Sequence, residues 1–156
     1  MTPATEQHSR VFIALTESCP VPRLWQAALE QLRESPAELT ALFVVDERWY
    51  RAAELPGTLE ISRLSAAPFA FTRERAEAIC REAAARTRRD IERMAAEARL
   101  RLRFEVLREA TPALLADLLA GEQGLVIASS QFRLQPAYTL FEGLRCRVLL
   151  VDDDER

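Results

Sequence analysis

The sequence predicts an α/β domain with a five-stranded parallel sheet, spatial order 3-2-1-4-5 by predicted strand, and helices on both faces. Three observations lead there. Short apolar runs alternate with segments of helical spacing, the pattern of a parallel sheet with crossover helices. Right-handed crossovers leave few ways to order the strands. The length of 156 residues suits one compact domain with its own core.

Arg10 to Leu15 (RVFIAL) is a buried strand, preceded by a polar tail over residues 1–9 that is expected to be flexible. Thr16 to Pro22 is a loop. Leu24, Ala28, Leu29 and Leu32 then fall on one helical face, with Pro22 in the first turn and Ser35-Pro36 as the stop. Glu38 to Val45 is the second strand. Asp46 to Phe71 is too long for an ordinary connection, so it is expected to be partly ordered and to cover something. Thr72 caps a long helix to about Arg99, with Glu74 in its first turn.

Leu100 to Leu107 (LRLRFEVL) alternates strictly. Leu100, Leu102, Phe104 and Val106 share one face, and Arg101, Arg103 and Glu105 the other. That pattern belongs near a sheet edge. Thr111-Pro112 opens a helix through Leu119, which Gly121 and Gly124 end. Leu125 to Ala128 is the fourth strand, Gln135 to Leu144 a short helix, and Arg147 to Val151 the fifth strand. The single domain thus spans 10–151, and 152–156 form an acidic tail.

Composition bounds the partners. The net charge is −3, all 21 basic residues are arginine, and neither nucleic acid nor an anionic membrane is implied. Without lysine, Schiff-base chemistry and a phosphate-loop lysine are excluded. The three cysteines show neither metal spacing nor a disulfide framework, which fits a reduced, cytoplasmic setting. No apolar run approaches the ~20 residues of a membrane span.

In an open α/β sheet, ligands bind beyond the carboxyl ends of the strands where the order reverses. Here that point lies between strands one and four. It brings together Thr16 to Pro22 and Ser129 to Pro136, with the hydroxyls of Thr16, Ser18, Ser129 and Ser130, and with Glu17, as site candidates. The competing reading is that these residues cap helices and satisfy turns.

Several stretches, in order, resemble the universal stress protein family over nearly the whole chain: RVFIALTES, ELTALFVVDE, TPALLADLLA, GLVIAS and CRVLLV. The resemblance implies a Rossmann-like sheet of the adenine nucleotide alpha hydrolase type, again ordered 3-2-1-4-5. It also implies homodimers, commonly joined through the last strand. One branch of that family binds ATP with the pattern Gly-x2-Gly-x9-Gly-Ser/Thr after strand four, and the other lacks those glycines. In this sequence, if Ser129 takes the first glycine's place, the others fall on Phe132 and Glu142. If Ser130 does, they fall on Arg133 and Gly143, with Leu144 next. The usual aspartate after strand one is Thr16, with Glu17 adjacent. The connection to strand five is also short. Each charge-assisted hydrogen bond lost from a phosphate removes roughly 1.5–3 kcal/mol, so losing several moves a micromolar site into the millimolar range.

The expectation is therefore a universal-stress-like protein without catalytic activity, cofactor or metal, in a stress-response or regulatory role through contacts with an unidentified protein partner. A homodimer is expected through Val148, Leu149, Leu150 and Val151, because an apolar edge strand is normally covered or paired. One alternative is a nucleotide-binding or weakly ATP-hydrolysing member whose remodelled loop uses Ser129, Ser130 and Arg133. Another is a binder of some other small ligand beneath Asp46 to Phe71, in a pocket lined by Trp49, Tyr50 and Thr16. Cys19, before a helix N-terminus, is weighed as a reactive thiol against a packed one. Cys80 and Cys146 read as structural. His8 sits in the polar tail with no triad or metal partner, and Asp152 to Glu155 read as a solvated run.

Overall fold

The computed structural model describes residues 10–34, 36–57, 59–61, 68–108, 124–142 and 147–152. Five strands form the main sheet: β1 (Arg10–Leu15), β2 (Glu38–Val44), β5 (Leu102–Leu107), β6 (Gly124–Ser129) and β7 (Arg147–Val151). They run parallel in the order β5-β2-β1-β6-β7, which is the expected 3-2-1-4-5 with a small hairpin interposed in the numbering. That hairpin, β3 (Leu59–Ile61) with β4 (Pro68–Ala70), is antiparallel and separate from the main sheet.

The sheet divides the core in two by alternation along its strands. Val11, Ile13 and Leu15 of β1 face α1 (Val21–Glu34) and α3 (Arg73–Glu97), together with Phe43, Ile127 and the helix residues Leu24 and Ile91. Phe12 and Ala14 face the opposite side, with Leu42, Val126, Phe132 and Phe141 of α4 (Pro136–Glu142). The central strands β1, β2 and β6 are apolar nearly throughout because both of their faces are covered. Gly124 opens β6 where a Cβ would lie 3.3 Å from the Phe12 ring, so the absent side chain lets β6 sit close to β1.

The described residues of the segment from Asp46 to Phe71 include regular structure, α2 (Arg48–Glu54) and the hairpin. Arg75 ties the hairpin to the start of α3 by donating from Nε and Nη2 to both Glu60 oxygens at 2.9–3.1 Å. Thr72 caps α3 as predicted, its Oγ1 accepting from the Arg75 N–H at 3.1 Å.

The third strand differs from the sequence reading in where it starts and in how well its apolar face is covered. The third strand of the main sheet starts at Leu102, not Leu100, because the turn before it is spent on closing α3. Leu100 N–H bonds the Ala95 carbonyl at 2.9 Å and Arg99 N–H that of Ala96 at 3.1 Å, with Arg99 left-handed at φ 56°. That is a helix-closing motif usually built on glycine. The alternating face of this strand is also only partly covered. Leu102 and Phe104 pack toward α3, while Val106 remains 42% exposed. The helix expected over Thr111 to Leu119, His8, Cys146 and the tail beyond Asp152 lie outside the described residues.

Candidate functional site

The order reverses between β1 and β6, and a cavity of about 410 Å³ opens at the carboxyl ends of the strands there. That volume sits at the lower end of the range for small-molecule sites. Its floor is apolar, with Val44, Leu107, Phe132 and Leu140, and its rim is polar, with Thr16, Ser18, Asp46, Arg48 and Gln131.

The sequence-derived candidates divide. Thr16 and Ser129 both line the cavity and are nearly buried, at 9% and 4% exposure. Ser18, also a candidate, lines it as well. Each of the two buried hydroxyl residues has a local structural task nearby. The Thr16 N–H donates to the Cys19 Sγ at 3.3 Å, closing the loop after β1. The Ser129 Oγ accepts from the Gln131 N–H at 3.2 Å, capping the 3-10 turn Ser130–Leu134. Glu17, Ser130 and Arg133 do not line the cavity. Glu17 points instead to α2, accepting from Trp49 Nε1 at 2.9 Å, and Arg133 is exposed on the 3-10 turn.

Residues that sequence reasoning did not select come from the loop after β2 and from the turn after β6. Asp46 and Arg48 form a tight pair at the rim: Arg48 donates from its backbone N–H and Nε to Asp46 Oδ1 at 3.0 Å each, and from Nη2 to Oδ2 at 2.6 Å. Burial pushes the Asp46 carboxyl up, but the Arg48 hydrogen bonds and charge outweigh it and hold the group below its ordinary value. Arg51 lies 3.8 Å from Glu47. Both pairs line the cavity. The mouth therefore carries two arginines against two carboxylates. The sequence carries a signal for it: Asp46 lies just past the end of a buried strand, and such strand ends are where α/β folds place ligands.

The loop after β6 begins with the turn Ser130–Leu134. Its 3-10 turn drives Phe132 inward to 2% exposure, with ring centroids 5.7 Å from Phe141 and 6.1 Å from Tyr138 in edge-on contacts. The chain at this point is anchored by an aromatic cluster.

Trp49 and Tyr50 pack on the α1 and α3 side of the sheet and do not line the cavity. Trp49 stacks obliquely on Phe71, with centroids 6.0 Å apart. Tyr50 and Cys80 lie close enough to influence each other's ionisation. Burial pushes both groups up, and the Glu17 and Asp46 charges raise the thiol further, so Cys80 stays protonated at neutral pH. Cys19 is half-buried and rims the cavity. Among the described residues no group of three or more His, Cys, Asp or Glu side chains could hold a metal ion, and no helix is long and apolar enough to cross a membrane.

No family model matches the chain, and no curated protein matches it. Among solved structures it is similar to a protein from the universal stress protein family from Burkholderia pseudomallei. The identity is 22%, the match covers 96% of this chain and 98% of that one, and the TM-score is 0.49. A likeness of that size carries no argument about the site. The sheet order rests on the strand pairings themselves.

Proposed function

We propose that this chain is a universal-stress-like regulatory domain that acts through protein contacts, without catalysis and without ATP, as a homodimer joined along β7. The observation that carries the reading is the connection after β6. At the position where a triphosphate would need glycine amides, the chain makes a 3-10 turn anchored by buried Phe132. The electrostatics agree. The two rim arginines stand beside carboxylates, so a polyanion gains little net attraction there. The dimer rests on β7, an edge strand whose Val148, Leu150 and Val151 are half-buried and whose Leu149 is 36% exposed.

The test is a calorimetric titration of the purified protein with MgATP. No heat of binding is expected at micromolar nucleotide, and micromolar affinity would overturn the reading. The cavity favours a second reading, a binder of a compact and largely apolar small molecule, because its floor is apolar and its rim charges cancel. Native mass spectrometry reads subunit number and any retained ligand together.

A further inference from the structure

We propose that the free edge of β5, with the arginines on either side of it, is a docking surface for an extended acidic segment of a partner protein. This inference rests on the protein-contact reading above and names the chemistry of the partner.

Among the described residues, β5 pairs with β2 on one side and with nothing on the other. Its outer N–H and C=O groups are a template for one more strand. Charge is concentrated beside it. Residues 81–108 carry nine arginines against five carboxylates, Glu105 included, a net +4 in a chain of net charge −3, so the remainder carries −7. All nine arginines are exposed.

Their placement suits a strand. Arg88 lies over the Phe104 ring at 5.6 Å, on the α3 face of the sheet. Arg103 belongs to the opposite face, since Leu102 and Phe104 on either side of it pack toward α3. Arg99 and Arg101, in the turn that enters β5, are exposed and make no ion pair among the described residues. A peptide added along β5 sends successive side chains to opposite faces. Its carboxylates then meet Arg99 and Arg101, which have no carboxylate paired with them among the described residues, and less strongly Arg88 and Arg103, which stand beside Glu92 and Glu105 on the two faces of the sheet. Exposed Val106 supplies an apolar contact further along.

The same details favour a peptide over a nucleic acid. Glu92 and Glu105 sit within the patch, 2.7 Å from Arg88 and 3.4 Å from Arg103. A continuous phosphate backbone would run against these carboxylates, while an acidic peptide can place apolar or neutral residues opposite them. The guanidinium fork matches a carboxylate in a bidentate pair. Asp152, which follows β7, stands at the other edge of the sheet from β5.

The experiment uses the full chain and a fluorescein-labelled peptide of alternating glutamate and valine, followed by anisotropy. A lysine-valine peptide is the control. Binding of the acidic peptide alone is expected, weakening with added salt and by about tenfold or more in the triple variant Arg88→Glu, Arg101→Glu, Arg103→Glu. Val106→Asp is expected to weaken it independently. Hydrogen-exchange protection should fall on 102–107. The proposal is overturned if the acidic peptide does not bind, if it binds the triple variant equally, or if protection appears elsewhere. It is equally overturned if single-stranded DNA or anionic vesicles occupy the patch in preference to the peptide, or if the triple variant changes the subunit number, which would make a second copy the occupant. Failure here together with no MgATP binding removes the docking surface alone. MgATP binding together with peptide binding removes only the ATP-free reading.

Discussion

The two edges of the sheet are built on opposite rules. At one edge, β7 reads Arg-Val-Leu-Leu-Val, four apolar residues in succession with Leu149 36% exposed. At the other, β5 alternates apolar and charged residues, Leu-Arg-Phe-Glu-Val-Leu, and has arginines beside it on both faces. An apolar edge is best covered by a copy of itself, since identical apolar surfaces are complementary to one another. A positively charged edge repels its own copy and selects a partner of opposite charge. If the two proposals above hold, the difference gives the two edges of one sheet separate partners, a second copy at β7 and a foreign acidic segment at β5.

The largest test of this asymmetry is Phe132→Ala. Phe132 is 2% exposed and anchors the turn that leads from β6 toward β7. Its removal should lower the unfolding free energy by about 3–5 kcal/mol in urea denaturation. Hydrogen exchange should then rise at 147–151 before it rises at 102–107, and an equal rise at both edges would break the comparison.

Next comes Leu149→Arg, which places a charge on the apolar edge. Sedimentation velocity should show the dimer dissociation constant rising about 100-fold. Val106→Arg, on the charged edge, should leave it unchanged. A wild-type chain that is monomeric at micromolar concentration would remove one half of the contrast.

The smallest effect is expected from Arg99→Gly at the turn into β5. A left-handed arginine costs roughly 1–2 kcal/mol, and glycine returns part of that gain as chain entropy. A net stabilisation of about 0.5–1 kcal/mol is expected in thermal or urea unfolding. No gain, or a loss, would show that Arg99 has a compensating contact and would sharpen its role at the β5 edge.

Much of the fold was legible in the chain. Runs such as Val11 to Leu15 and Leu125 to Ala128 announce buried strands because every residue in them must be covered. The strict alternation of β5 announced an edge. The position of Thr16 and Ser129 at the strand-order reversal followed from the same pattern. The rest of the cavity was less visible. Asp46 and Arg48 are two residues apart and form a local pair, and nothing in that spacing says they face Ser129 across the ends of the strands. Glu17 was grouped with the cavity by its position in the loop after β1, but the Trp49 indole holds it toward α2.

By itself, then, the sequence determined the succession of strands and helices, the capping of α3 by Thr72, the apolar character of β7 and the lack of a glycine cradle after β6. These are properties of neighbouring residues, set by side-chain periodicity and backbone preference over a few positions. Only the tertiary structure decided that Phe132 turns inward at the end of β6, that Val106 stays exposed while Phe104 is partly covered, and that Arg88 and Arg103 stand on opposite faces of the sheet at β5. Those outcomes depend on which elements lie side by side after the crossovers, and that arrangement joins residues far apart in the chain.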